Sequence, residues 1–287
     1  MYIYVYHALR YSNQFIQSSK MPFYNSYSGF LYRQFLVCPP KAPSSTNLCG
    51  NVGLVTGANT GLGYQASVQL LSLGLSHLIL AVRNLSKGEA ARKRLLSNLP
   101  ASAQNPVVEV WEIDLADYKS IVSFVNRLKL SKLTIDFVIL NAGVANFNYT
   151  INPVTSHENS VQINWLSNAL LTLLLLLELD RQAQTQTTVN RPRPVISIVG
   201  SETAAWAKFK EAKVSIKSGI SLLQALDDRK NFDMGDRYYT SKLLQQLFFL
   251  ELVNNHRSKN RSSGTVLNMV NPGFCYGSEL HRTAEGA

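Results

Sequence analysis

A glycine-bearing loop set between a strand and a helix narrows the folds open to this chain more than any other feature. Val52-Gly53-Leu54-Val55-Thr56 is a short apolar run of strand character, and Tyr64 to Leu71 continues with helical periodicity. Between them lies Thr56-Gly57-Ala58-Asn59-Thr60-Gly61-Leu62-Gly63. Glycine at 57 permits a tight turn off the strand. Glycine at 61 removes a Cβ where backbone N–H groups must approach a ligand, and glycine at 63 lets the helix pack close to the strand. The helix N-terminus adds partial positive charge, so the loop suits the pyrophosphate of a dinucleotide. Glycines also punctuate ordinary turns, and the flanking strand and helix are what give this triplet its meaning.

A second motif lies far downstream, Tyr238-Tyr239-Thr240-Ser241-Lys242. Helix positions four apart share a face, so Tyr238 and Lys242 can bring a phenol and an ammonium to one site. A phenol ordinarily loses its proton near pH ~10, and a nearby cation favours the phenolate. On its own the spacing is equally compatible with Tyr238 covering the core and a solvated Lys242.

With both motifs present the chain resembles the short-chain dehydrogenase/reductase superfamily, and further residues match it in order across roughly residues 50 to 280. Asn141-Ala142-Gly143 follows the apolar run Asp136 to Leu140, as the family's Asn-Ala-Gly signature follows its fourth strand. Asp114-Leu115 ends the strand-like Val107 to Ile113 and looks like the pair that contacts adenine. Ser201, after Pro194 to Gly200, resembles the substrate-orienting serine, and Asn164 the helix-borne asparagine. Asn271-Pro272-Gly273 resembles the turn beside the nicotinamide. The resemblance implies catalytic roles for Tyr238, Lys242, Ser201 and Asn164. It implies cofactor contacts from Gly57, Asn59, Thr60, Gly61, Leu62, Gly63, Arg83, Asp114, Leu115, Asn141, Ala142, Gly143, Tyr238, Lys242, Pro272 and Gly273. Segments around Met21-Pro22-Phe23, Gly29 to Tyr32, Pro39-Pro40 and Ala81-Val82-Arg83-Asn84 look like a fungal group associated with secondary metabolism. The region of Arg83 is also similar to retinol-dehydrogenase-like enzymes.

Charge bears on the cofactor. An acid after the second strand binds the ribose 2′-OH of NAD, whereas a basic residue accommodates the 2′-phosphate of NADP. Here His77 to Val82 ends in Arg83, with Asn84 and Lys87 following, and no acid occurs before Glu89. NADP(H) is therefore expected. The formal charge of +10 is spread along the chain without a nucleic-acid motif, so solvated surface is expected rather than nucleic-acid binding. Cys38, Cys49 and Cys275 have no metal-like spacing, the histidines do not cluster, and no metal site is expected.

At 287 residues and 46% hydrophobic content the chain can bury a full core. Alternating strands and helices imply an α/β fold: a single Rossmann-type, doubly wound parallel sheet in three α/β/α layers. Residues 1–48, free of Asp and Glu, read as an N-terminal extension and linker, and 49–287 as the catalytic domain. The acid-poor leader leaves a transit peptide open beside a cytoplasmic location. Leu170 to Leu179 is too short for a transmembrane span and reads as a core helix that contributes to homo-oligomer pairing by resemblance. Residues 202–237 form an insertion, either a flap near the substrate or a surface helix pair. After Asn271-Pro272-Gly273 the chain runs only to Ala287, and the segment Gly277-Ser278-Glu279-Leu280 is one residue longer than the family spacing, so the last edge strand is expected to be missing. The expected function is NADP(H)-dependent reduction of a carbonyl, or oxidation of a secondary alcohol, on a small hydrophobic substrate. The rival is a shortened, catalytically silent nucleotide-binding scaffold.

Overall fold

A computed structural model describes residues 27–38, 40–99, 105–185, 191–259, 264–273, 275 and 280. Most of the N-terminal extension, and the spacing after the Pro-Gly turn at 277–279, lie outside the described residues.

The chain enters with helix α1 (Tyr27–Phe35) and then alternates: β1 (Val52–Thr56), α2 (Gly61–Ser72), β2 (His77–Val82), α3 (Leu85–Ser97), β3 (Val107–Glu112), α4 (Tyr118–Ser131) and β4 (Phe137–Leu140). Helix α5 (Asn159–Thr185) leads to β5 (Val195–Val199). Next come α6 (Lys210–Ser218), α7 (Leu222–Asp227), α8 (Met234–Lys259) and β6 (Val266–Val270). The six strands form one parallel sheet in the order β3-β2-β1-β4-β5-β6. This is the doubly wound α/β architecture expected from the sequence, and the strand order reverses between β1 and β4.

Both faces of the sheet are covered, which is why its central strands are apolar throughout instead of alternating. Leu54, Ile79, Ala81, Val138 and Ile196 face α4 and α5, packing on Phe124, Leu128, Leu171 and Leu175. Val55, Leu78, Leu80 and Ile139 face the other way, onto Leu70 and Leu71 of α2 and Ala91 and Leu95 of α3. At roughly 1.5–3 kcal/mol for each fully buried leucine or isoleucine, these two layers dominate the stability of the domain.

Helix α5 contains 27 residues and is long and apolar enough to cross a membrane by length and composition. The expectation that its leucine run is too short for a span is therefore replaced by a different reason: Leu171, Leu175, Leu176 and Leu179 are buried against the sheet. One turn, Gln162–Ser167, is wound as a π-helix.

The insertion folds as a 3₁₀ turn (Glu202–Trp206) followed by the α6–α7 helix pair. Phe209 enters α6 with φ 46°, a left-handed conformation that costs a bulky residue on the order of 1–3 kcal/mol. It is held there by Asp236, whose carboxylate accepts the N–H groups of Lys208 at 2.8 Å and Phe209 at 3.3 Å.

Candidate active site

The glycine loop sits at the strand-order reversal, where doubly wound sheets open a crevice beyond the strand ends. Thr56 closes β1, and its Oγ1 accepts the N–H groups of Asn141 and Ala142, both at 3.0 Å. Asn141 Nδ2 returns bonds to Thr56 O at 3.0 Å and Gly57 O at 3.4 Å. A Cβ at Gly63 would lie 2.4 Å from Gly57 O and 2.6 Å from Asn141 Nδ2, so only glycine fits there without shifting the loop. Gly57 and Gly61 both have positive φ, 64° and 55°. Thr60 begins α2 with an extended backbone and makes no side-chain cap bond. The first-turn N–H groups are thus left without a side-chain cap, as an anion-binding helix end requires.

Beside the loop is a cleft lined by Leu62, Ala66, Ile139, Asn141, Val199, Val270, Asn271 and Pro272. Asn59 and Thr60 are partly exposed at its loop. Arg83 is exposed at the end of β2, and Asn84 beside it caps α3 by accepting the Lys87 N–H at 2.9 Å. Asp114 bonds the Ala116 N–H and is partly exposed. The Leu115 side chain is buried in the main core and its carbonyl accepts the Ser167 hydroxyl. Its apolar character serves packing. Gly273 has φ 74° and packs near the Gln34 amide of α1.

Helix α8 carries the second motif. The Tyr238 hydroxyl lies close enough to the Ser201 side chain for that hydroxyl to favour the phenolate. Ser201 also meets the Thr203 hydroxyl at 2.8 Å, and its carbonyl accepts Gln246 Nε2 at 3.0 Å. Burial, joined by the neighbouring Tyr239, holds the Tyr238 phenol above its ordinary value, with Ser201 pulling the other way. The lysine that spacing places on the same face does not lower it in this state, contrary to expectation. The reason is where Lys242 points: Nζ donates to Val199 O at 3.0 Å and to Gln245 Oε1 at 3.1 Å. With no carboxylate to offset desolvation, burial pushes the Lys242 ammonium down to about 8.

Asn164 lies on the π-helical turn, fully buried. Its Oδ1 accepts Val144 N–H at 2.8 Å, and its Nδ2 donates to Val144 O at 2.8 Å and to Ser241 Oγ at 2.9 Å. Ser241 in turn donates to Tyr238 O at 2.7 Å. A Cβ on Gly143 would come 3.1 Å from Asn164 Oδ1 and 3.8 Å from Lys242 Nζ, so Gly143 lets both side chains close in. Each such bond contributes about 0.5–1.5 kcal/mol, and together they fix the catalytic-type helix against the π turn.

Four residues of this neighbourhood were not legible in sequence. Arg237, completely buried beside Tyr238, lies 2.9 Å from Glu211 of α6 and 3.8 Å from Glu158. Glu158 starts α5, accepting the Ser160 and Val161 N–H groups, and burial raises its carboxyl above the ordinary value. Asp236 holds the insertion loop and accepts the Thr240 hydroxyl at 2.9 Å. In sequence these charges look like any solvated helix residue, and adjacency to the Tyr-x-x-x-Lys motif is a signal for Asp236 and Arg237 alone.

A hydroxyl pair at the carboxyl ends of parallel strands, beside a glycine loop at the point of strand reversal, is the layout of a nucleotide-dependent oxidoreductase. Comparison with known proteins gives the family. A short chain dehydrogenase profile matches residues 51–192. The short chain dehydrogenase sol3 of Alternaria solani is 40% identical over 255 residues, 89% of this chain and 82% of that protein. The short-chain dehydrogenase fogG of Aspergillus ruber is 41% identical over 256 residues, covering 88% and 68%. This chain belongs to the short-chain dehydrogenase/reductase family. Among solved structures, RhlG of Pseudomonas aeruginosa in complex with NADP superposes with a TM-score of 0.57 at 20% identity, over 84% of this chain and 78% of that one, which supports the shared fold.

Lys242 gives a pH signature of its own. Between about pH 8 and the unfolded value near 10.5 the unfolded chain holds a proton on this side chain and the native one does not, so this group's contribution to stability rises with pH. Below pH 8 both states are protonated and the desolvation penalty is fully present. Urea denaturation of wild type and Lys242→Met should show wild type gaining on the variant, by on the order of 3 kcal/mol between pH 7 and pH 10.5. A difference that stays flat across that range would place the ammonium in a solvated environment.

Proposed function

We propose that this chain is an NADP(H)-dependent reductase of a carbonyl, or dehydrogenase of a secondary alcohol, acting on a small neutral hydrophobic compound. The observation that carries this reading is the approach of the Tyr238 hydroxyl on α8 to the Ser201 side chain at the end of β5, close enough for Ser201 to favour the phenolate. Two convergent hydroxyls can address one substrate oxygen. The phenol raised by burial is protonated at neutral pH and so is set to donate in the reductive direction.

When bound, the nicotinamide supplies the hydride, and the overall change is carbonyl plus NADPH plus a proton to alcohol plus NADP⁺. Tyr238 gives its proton to the carbonyl oxygen while Ser201 hydrogen-bonds that oxygen. Lys242, buried with no carboxylate partner among the described residues, would hold the ribose hydroxyls, and the network that includes Asn164 would restore the phenolic proton. The loop Gly57 to Gly63 would hold the pyrophosphate, Asp114 the adenine side, and Asn141 to Gly143 with Pro272 and Gly273 the nicotinamide side. Arg83, exposed and without an acid nearby in sequence, pairs with a 2′-phosphate. The fungal relatives support a role in secondary metabolism. Exposed Leu173 and Leu177 on α5, with Leu247 and Leu250 on α8, offer a face for a second copy.

The adjacent tyrosines test the assignment. Tyr238→Phe removes the proton donor and keeps the ring, and should lower turnover by about 10²-fold or more while NADPH affinity survives. Tyr239→Phe should keep most activity. A silent Tyr238→Phe beside a dead Tyr239→Phe would overturn the register. Saturable NADPH binding with no turnover on any carbonyl would favour the scaffold instead.

Arg83 tests the cofactor. Arg83→Asp exchanges attraction for repulsion at the 2′-phosphate and should move preference from NADPH toward NADH in a cofactor titration. Unchanged relative affinities would count against NADP(H).

A further inference from the structure

An array of aromatic rings runs outward from the candidate proton donor. Tyr238 and Tyr239 have ring centroids 6.3 Å apart, Tyr239 and Trp206 5.9 Å, and Trp206 and Phe30 5.1 Å, each pair near edge-to-face. The rings come from three separate elements: α8, the 3₁₀ turn after Ser201, and α1. Phe30 precedes the part of the chain that the family profile covers.

The array is fixed to the reacting end of the sheet. Ser201 caps the 3₁₀ turn, accepting the Thr203 N–H, and Trp206 closes that same turn, so five residues of short helix set the indole's position relative to the serine hydroxyl. Arg33 of α1 pairs with Glu202 on this turn. Glu202 Oε2 accepts Asn271 Nδ2 at 3.1 Å, and Asn271 Oδ1 accepts the Glu202 N–H at 3.3 Å. Helix α1 is thus tied across the ends of β5 and β6, on the side of a doubly wound sheet where ligands bind.

Trp206 is the most exposed ring of the array. Trp206 keeps 39% of its surface exposed although it is gripped by rings on two sides. A large apolar ring left accessible near the partly buried Ser201 and Tyr238 is the kind of surface that a flat ring covers. Arg33 is paired with Glu202, and the exposed Lys208 and Lys210 share Asp233 at 3.6 Å each. The ring of Trp206 itself offers no charge to an ionised ligand.

We propose that Trp206, supported by Phe30 and Tyr239, is the substrate-recognition wall of the site, and that it selects a neutral carbonyl compound bearing an aromatic ring next to the carbonyl. This rests on the carbonyl-reductase reading for its chemistry, while the recognition itself can be read by binding alone.

The test compares phenyl methyl ketone with cyclohexyl methyl ketone, which differ in flatness and π character but little in size. Binding of each to the protein with NADP⁺ present is measured by calorimetry, and kcat/KM of each with NADPH. Wild type should favour the phenyl compound roughly 2- to 10-fold, the range one aromatic pair supplies. Trp206→Ala should abolish that preference while leaving NADP⁺ affinity unchanged, and Trp206→Phe should restore much of it. Phe30→Ala, which removes the support, should shift preference the same way as Trp206→Ala. Equal affinity of wild type for the two ketones, or an equal loss for both in Trp206→Ala, would overturn the proposal. A wild type that discriminates in binding but turns over neither ketone would keep the wall and defeat the reductase reading.

Discussion

The joint between Thr56 and Asn141 governs the molecule. Two central strands that are distant in sequence end side by side there, and four hydrogen bonds pass between them through one hydroxyl and one amide. Because Asn141 reaches the carbonyls of the turn itself, the path of the glycine loop is set by β4 as much as by β1. The close approach at Gly63 follows from the same joint: its place against Gly57 O and Asn141 Nδ2 exists only while the loop is held in. A crevice at a strand reversal becomes a shaped site when its floor is braced in this way.

From that floor a second set of contacts carries order to the far side of the crevice. Val144, three residues beyond Asn141, is held at both backbone atoms by Asn164, and Asn164 reaches Ser241 one turn from Tyr238. The π-helical turn gives an otherwise regular core helix a local irregularity at this point, a deviation often associated with sites. Behind it, Arg237 lies buried between carboxylates from α5 and α6. Removing one member of such a cluster leaves the others uncompensated, which makes the arrangement stiff rather than strongly stabilising. The insertion is thereby coupled to the helix bearing Tyr238 and Lys242, not laid loosely over it.

Much of this was legible in the sequence because the responsible signals are local. Strand β1, the loop and α2 are consecutive, and apolar runs bounded by turn residues located all six strands to within about a residue. Ser201 and Tyr238, thirty-seven positions apart, are joined in sequence by resemblance alone, and the fold brings the two side chains near each other from β5 and α8. What escaped depends on three-dimensional surroundings. Leu115 is a core residue because α5 covers it, which no adjacent residue announces. The direction in which Lys242 points depends on a carbonyl of β5 and an amide one turn along its own helix. Arg237 and Glu158 look solvated in sequence, and tertiary packing buries both, with Glu211 of α6 meeting Arg237. The insertion contains a helix pair, and its first turn, carrying Trp206, lies against the Tyr239 ring.

The central claim is that the braced glycine loop is a dinucleotide site continuous with the hydroxyl pair. Calorimetric titration of NADPH into wild type and Gly63→Val, with far-ultraviolet circular dichroism of both, tests it most directly. The claim predicts one saturable site per chain in wild type, lost or severely weakened in a variant whose secondary structure content is unchanged. Equal NADPH affinity in the two folded proteins would show that the cofactor binds elsewhere and would contradict the account.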